Sequence, residues 1–508
     1  MLNTGDFVHA KELVDHLDYL EVDRTLVYHR GALDAAPLSR NMELIEECAK
    51  YSDRLFPALV IAPSDRYADG RMDWLKQQAE AGHRAFVMNQ MPPFSFRQYE
   101  FLLEELHPYA PVIFTDPRHE LYQTADGLEY LAKRFPDATF MIYCGLFSCI
   151  LDLMERCPNI NAVISQIQTR DAFELIRDKF GVHRLFYGFR FKSNYGASIG
   201  ALMHSSLTPE EKELVAHGNL ERLLKLPPLK TKQAKSNDWT EKPLWKCFKE
   251  GKKLENVSIY DAHSHEFTGP ATPLRDNSSP DLLKKTVDRM DSLGISAMLM
   301  TSGGGLRGGS VLHSSNCFLE KIRQFPGRFF IYFPYNPHFA NEITTEFLDS
   351  YFSNHECVGF KLLPQYWELP LDDPGYLPVW RYAEEHRLPI LIHTWGDAAP
   401  LKTIAPAYPH AKFILGHSGG GRKGRKEAVE IGSIAPNTFF EFCATFCCST
   451  PFEEVIRKFG SDRVLFGSDA TIHNQAFELA GYLSMPLPDS ELMPGLAENI
   501  MRILHDKQ

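Results

Sequence analysis

From residue 257 to its end the chain alternates short apolar runs with helical segments eight times over. The runs fall at 258–263, 297–301, 329–333, 359–362, 390–394, 413–417, 439–442 and 464–468. Strand followed by helix at this spacing calls for a parallel sheet wrapped by helices. Eight such units in about 250 residues is the arithmetic of a closed (β/α)8 (TIM-type) barrel, whose active site lies at the carboxyl ends of the strands.

Polar residues recur at those ends. The first run closes as Ile259-Tyr-Asp-Ala-His-Ser-His265, the fourth on Lys361, the fifth on His393, the sixth on His417 and the eighth on Asp469. Residues two apart in a strand point the same way, so His263 and His265 aim into one space while Ser264 faces the opposite wall. Any one of these histidines alone is a hydrogen-bonded core residue. Together at the ends of strands that converge on one axis, they need a reason to be there. Imidazoles and a carboxylate suit a divalent ion such as Zn²⁺, which takes neutral histidine nitrogen and carboxylate oxygen and keeps a position for water when catalytic.

At this point the chain resembles the amidohydrolase superfamily. The carriers are His263-Ser-His265, His393, His417 and Asp469, and the flanking Gly416-His-Ser-Gly and Phe466-Gly-Ser-Asp are similar to the amidohydrolase-related branch that includes aminocarboxymuconate-semialdehyde decarboxylase. The resemblance covers 257–508. It implies one divalent metal, Zn²⁺ with Mn²⁺ as the alternative, held by His263, His265, His393 and Asp469. His417 would polarise the substrate or handle a proton, and Asp469 would also act as general base. Some members of the superfamily carboxylate a lysine on the fourth strand to bridge two metals. The one-metal reading makes Lys361 a charged neighbour of the ligands or a substrate contact instead.

The first half repeats the plan without the chemistry. Apolar runs at 25–29, 57–61, 85–88, 111–115, 139–143, 161–165 and 184–188 make seven strands. Segment 135–144 aligns with 408–417, 180–188 with 459–467 and 219–224 with 499–504, the mark of an internal duplication. Yet Phe114 or Thr115 stands where His393 does, Cys144 where His417 does, Arg190 where Asp469 does and Val87 where Lys361 does. The expectation is a tandem pair of (β/α)8-type domains: a degenerate copy at 1–226 without metal ligands, a linker at 227–256, and the metal-dependent barrel at 257–508. The linker, opened by Pro227-Pro228 and rich in lysine, reads as a surface tether with one short helix near 243–250. Arg118 and Arg190 could hold an anion in the first mouth, although loop arginines are usually solvated.

Two glycine-rich loops flank the second mouth, 302–309 and 419–426. Their backbone can approach a ligand, and Arg307, Arg422 or Arg425 can pair with a carboxylate; the alternative is a mobile loop with a solvated basic face. A net charge of -11 gives no general attraction to nucleic acid or an acidic membrane surface. Met1 leads into Leu-Asn-Thr-Gly-Asp rather than a signal peptide, and no run of about 20 apolar residues could span a bilayer. Ten cysteines are too sparse for a disulfide framework, and Cys443, Cys447 and Cys448 read as buried thiols near a strand end. These features place the chain in the cytoplasm with a small-molecule substrate, as a monomer or a homo-oligomer.

The functional expectation is metal-dependent hydrolysis of an amide, ester or lactone-like bond by activated water, with Asp469 moving the proton and His417 stabilising the oxyanion. Non-oxidative decarboxylation on the same ligands is the close alternative. A catalytically silent scaffold with a structural metal is the third.

Overall fold

The computed structural model describes residues 9–506 except 36, 90–94, 116–124, 144–146, 165–168, 190–193, 230, 267–280, 307–309 and 445–450. Arg118, Cys144, Arg190, Arg307, Cys447 and Cys448 therefore lie outside the described residues. The first domain contributes β1 (Thr25–Val27), β2 (Leu55–Pro57), β3 (Leu59–Ile61), β4 (Ala85–Met88), β5 (Val112–Phe114), β6 (Thr139–Tyr143), β7 (Ile160–Ile164) and β8 (Leu185–Tyr187). β1 pairs with β2, and β3 to β8 form a six-stranded parallel sheet in chain order. β2 and β3 are one strand interrupted at Ala58, whose N–H turns to the carbonyl of Val27 (2.6 Å). The preceding Pro57 has no N–H for a ladder bond, so the break falls where the chain is weakest. The interior of this sheet is apolar, with Val60, Val87, Phe114, Met141, Val163 and Phe186 in one cluster.

The second domain has β9 (Tyr260–Glu266), β10 (Ala297–Ser302), β11 (Phe329–Pro334), β12 (Cys357–Leu362), β13 (Pro389–His393), β14 (Lys412–Gly416), β15 (Thr438–Phe442) and β16 (Val464–Phe466). They form one eight-stranded parallel sheet in chain order. It closes on itself where Asp469 N–H donates to the carbonyl of His263 (2.7 Å) and His265 N–H to that of Ala470 (2.5 Å). Closure leaves no sheet edge and brings the first and last strand ends, with His263, His265 and Asp469, side by side.

Hydrogen bonds recur at matching places in the two domains. Asn159 Nδ2 donates to the carbonyls of Ala132, Phe135 and Ala138, as Asn437 Nδ2 does to Ala405, Tyr408 and Ala411. Asn219 Nδ2 ties Val182 and Leu185 as Asn499 Nδ2 ties Ser461 and Val464.

Between the domains, helix Ala197–Met203 packs on helix Gln475–Leu483, with Gly200 facing Ala480 closely enough that a Cβ would overlap it. Segment 227–256 holds helix Pro243–Lys249 and buries Trp245, Phe248 and Leu254. Lys242 Nζ, also buried, donates to the carbonyls of Met485 (2.8 Å) and Leu487 (2.5 Å). Lysines 232, 235 and 249 pair with Glu21 or Asp18 of the first domain. The lysine-rich composition that suggests a tether thus belongs to a segment fastened to both domains.

Candidate metal centre

A strict two-residue period along β9 would put Asp261, His263 and His265 on one face. The strand slips by one residue against β10, because Asp261 pairs with Met298 and Ser264 with Met300. This bulge turns two successive residues, Ala262 and His263, to the barrel interior. Ala262 packs with Leu299, Ile414 and Leu465 inside the barrel. Asp261 is left on the other side, taking the Ser468 N–H (2.9 Å) and Gln475 Nε2 (3.4 Å). β12 slips in the same way, Ile331 pairing with Cys357 but Tyr332 with Gly359, which turns Lys361 inward.

His263, His265 and Asp469 offer donor atoms that lie within 4.8 Å of one another. Asp469 Oδ1 is 2.9 Å from His265 Nε2 and 3.8 Å from His263 Nε2. His265, Asp469, His393 and His417 line a cavity of about 320 Å³, with His473 beside Asp469, whereas His263 is fully buried and is not among its lining residues. Leu306, Leu363, Ile472, Tyr366 and Trp395 form the apolar side of the cavity. The ring centre of His393 is 4.9 Å from that of His417, but its donor atoms are not part of the tight group. Lys361 Nζ is 2.7 Å from His263 Nε2. Asp469 and His417 hold φ of 55° and 60°, left-handed values uncommon for residues with a Cβ. Such values persist where surrounding bonds over-determine the backbone.

Burial sets the protonation states. It drives His263 and His417 well below the ordinary histidine value and His393 down to about 3, with the Lys361 charge adding to the effect on His263 and His393. All three imidazoles are neutral, the state in which histidine binds metal. Burial also pushes Lys361 down to about 8. For Asp469 burial acts upward, but His473, the His265 hydrogen bond and His263 outweigh it and hold the carboxylate well below its usual range. Asp469 is therefore ionised at neutral pH.

These residues fit a divalent ion. His263 Nδ1 lies 2.7 Å from Glu441 Oε2, an arrangement that holds the proton on Nδ1 and frees the Nε2 lone pair. The Lys361 amine already sits against that lone pair, where a cation is attracted. His393 Nδ1 is buried with no hydrogen-bond partner among the described residues. Of the arginines proposed for substrate, Arg422 is exposed at the start of helix Arg422–Ile434 and is not among the cavity-lining residues. Arg425 is buried, its guanidinium 3.9 Å from the Phe452 ring centre and bonded to the Gly420 carbonyl.

Glu441, Cys443 and His473 were not singled out as site residues by the sequence reading. Glu441 stands in Thr438-Phe-Phe-Glu-Phe442, a carboxylate inside an otherwise apolar strand, and that contrast is the signal that could have found it. Burial pushes it up to about 8. Cys443 is fully buried, as expected of it, but its Sγ lies 3.0 Å from His417 Nδ1. His473 has no local pattern to betray it.

The second domain is thus a closed eight-stranded parallel barrel with His-x-His on its first strand and an aspartate after its eighth. Residues 260–507 match the family model for amidohydrolases. Similar solved structures include 5-carboxyvanillate decarboxylase from Sphingomonas paucimobilis, 14% identical over 49% of this chain and 99% of that one, with a TM-score of 0.39. Another is 2,6-dihydroxybenzoate decarboxylase from Rhizobium, at 14% identity over 50% and 99% of the two chains and a TM-score of 0.37. A probable 2-pyrone-4,6-dicarboxylic acid hydrolase from Acinetobacter baumannii is 15% identical over 49% and 99%, with a TM-score of 0.38. No curated protein matches the sequence.

Proposed function

We propose that the second domain is a metal-dependent hydrolase of an amide, ester or lactone-like bond in a small molecule. One observation carries this reading: the donor atoms of His263, His265 and Asp469 converge, and His265 and Asp469 share the wall of a 320 Å³ cavity with His393 and His417. His263, His265, His393 and Asp469 would hold one divalent ion, Zn²⁺ or Mn²⁺. Such an ion lowers the pKa of a bound water toward neutrality and polarises a carbonyl. Asp469, ionised and flanked by His265 and His473, would be placed to take a proton from such a water and return it to the leaving group. Cys443 Sγ lies 3.0 Å from His417 Nδ1; with the thiol proton directed at that nitrogen the imidazole would carry its own proton on Nε2, where it can stabilise a developing oxyanion. The apolar walls exclude bulk water and strengthen each of these interactions.

Non-oxidative decarboxylation is the second reading, and the aromatic wall favours it. Trp395 stands 5.2 Å from the His417 ring and Tyr366 5.2 Å from the His393 ring, which suits a flat aromatic acid. The matching asparagine ties of the two domains support the first as a duplicated copy that lost its ligands. The cytosol suits such an enzyme, and among the described residues no helix is long and apolar enough to cross a membrane.

The test starts with metal content per chain after purification without added metal or chelator. About one divalent ion, lost together with activity in His393→Ala, is expected; no ion even after reconstitution would favour a silent scaffold. A substrate screen then separates the reactions by product. Release of CO₂ without a new amine, alcohol or acid would sink the hydrolase reading.

A further inference from the structure

We propose that Cys443, Glu441, His417 and His263 form a second cation position, on the opposite edge of the His263 ring from Asp469, that takes one borderline or soft divalent ion such as Zn²⁺ or Cd²⁺. The four donor atoms already lie within 4.8 Å of one another, and all four residues are buried. Cys443 Sγ is 3.0 Å from His417 Nδ1, 3.5 Å from His263 Nδ1 and 3.4 Å from Glu441 Oε2. His263 Nδ1 and Glu441 Oε2 are 2.7 Å apart. A four-coordinate zinc with bonds of about 2.0–2.3 Å sets its donors roughly 3.3–3.8 Å from one another, so the Cys443–Glu441 and Cys443–His263 pairs already have the required spacing and the two hydrogen-bonded pairs would open by a few tenths of an ångström on binding.

Three further features point the same way. Gly416 and Gly467 leave the space around these side chains: a Cβ on Gly416 would come within 3.3 Å of His263 Cε1, and one on Gly467 would run into Glu441 Oε1 and His263 Cβ (2.8 Å). Glu441 Oε1 is buried without a hydrogen-bond partner among the described residues. Thiolate and carboxylate together cancel the charge of a divalent ion, so the occupied position buries no net charge. The sulfur sets the ligand class, because thiolate selects zinc and softer ions over magnesium or calcium.

Occupation forms one metal–sulfur, one metal–oxygen and two metal–nitrogen bonds; the protons of the Cys443 thiol and of any protonated Glu441 carboxyl leave to solvent and the His263 proton moves from Nδ1 to Nε2, without any transfer of electrons. The position differs from the centre described above in using Nδ1 rather than Nε2 of His263. A neutral imidazole has one in-plane lone pair, so His263 serves one ion at a time. The proposal does not depend on which reaction the cavity supports.

Cobalt(II) titration of the full-length chain, stripped of metal by chelation, tests it, because only a sulfur ligand gives the thiolate-to-cobalt band in the near ultraviolet. The expected result is a band that saturates at one thiolate per chain, is lost in Cys443→Ser and is retained in Asp469→Asn, which disables the centre formed by His263, His265 and Asp469. No band in the wild-type chain at saturating cobalt overturns the proposal. So does a band that survives in Cys443→Ser, since it would come from another cysteine, such as Cys317 beside His313 on the surface. Should Cys443→Ser fail to fold, Glu441→Gln keeps the thiol and is expected to weaken the band-forming cobalt at least ten-fold; an unchanged titration overturns the proposal.

Discussion

The amine of Lys361 lies 2.7 Å from Nε2 of His263, with both side chains fully buried. A cation arriving at that nitrogen must displace the lysine or share the space with its charge. Lys361→Met is therefore expected to raise the affinity for the first divalent ion by about ten-fold or more, since unit charges 4 Å apart interact by about 4 kcal/mol at an effective dielectric of 20. Competition with a chromogenic chelator measures it. Two ions per chain in the wild type and one in Lys361→Met would instead identify a carboxylated, bridging lysine.

How much of this centre could be read from the chain is decided by the same pair. His263, His265, Lys361, His393, His417 and Asp469 stood out because each ends an apolar run, and a barrel brings such ends together whatever the details of packing. What alternation could not show is that β9 and β12 each carry a bulge, without which the two-residue period would not turn both His263 and Lys361 inward. A bulge is a relation between two strands and leaves little trace in either one. Glu441 was legible in principle as a lone carboxylate among phenylalanines. Its partner His263 lies 178 residues away, so the pairing itself was not. The 227–256 segment shows the converse failure, since lysine-rich composition suggested solvent although Trp245 and Lys242 are buried there.

Gly467 permits the contact between Glu441 and His263, and a methyl group there has no free space. Gly467→Ala is expected to cost about 1–3 kcal/mol, the usual range for forcing volume into a packed core. At about 2–4 °C per kcal/mol, the melting temperature should fall by several degrees. Metal affinity should fall with it, because His263 is the side chain displaced. An unchanged melting temperature with full metal content would show that the strand ends can shift without cost.

His204 makes the domain junction sensitive to acid. Its ring stacks on Phe248 at 3.9 Å, Nε2 donates to the Phe248 carbonyl, and burial pushes its pKa down to about 4. The unfolded chain has a histidine pKa of about 6.5, so between these values the unfolded state binds more protons than the folded one and stability rises with pH. Acidification from pH 7 to pH 5 should therefore remove on the order of 2 kcal/mol through this residue. In His204→Gln the difference in denaturant midpoint between the two pH values should shrink accordingly, whereas an equal difference in both proteins would assign the acid sensitivity to other groups.

Trp245 shows how the first domain can matter to a centre that it does not line. The indole is fully buried, it belongs to the core of the second domain, and it covers Gly196 of the first so closely that a Cβ there would overlap the ring. The first domain's own core extends to Cys443, Ala444 and Phe477 of the second; Ala444 lines the cavity and Cys443 lies against His417, which also lines it. The domains are thus expected to unfold in one transition, with the β15 end held partly from outside its own barrel. Trp245→Ala should cost about 3–5 kcal/mol and split the calorimetric transition in two. It should also weaken metal binding although Trp245 does not line the cavity, because loosening the junction frees Cys443 and, through it, His417. A variant that melts in two steps but binds metal with unchanged affinity would confine the first domain to a stabilising role.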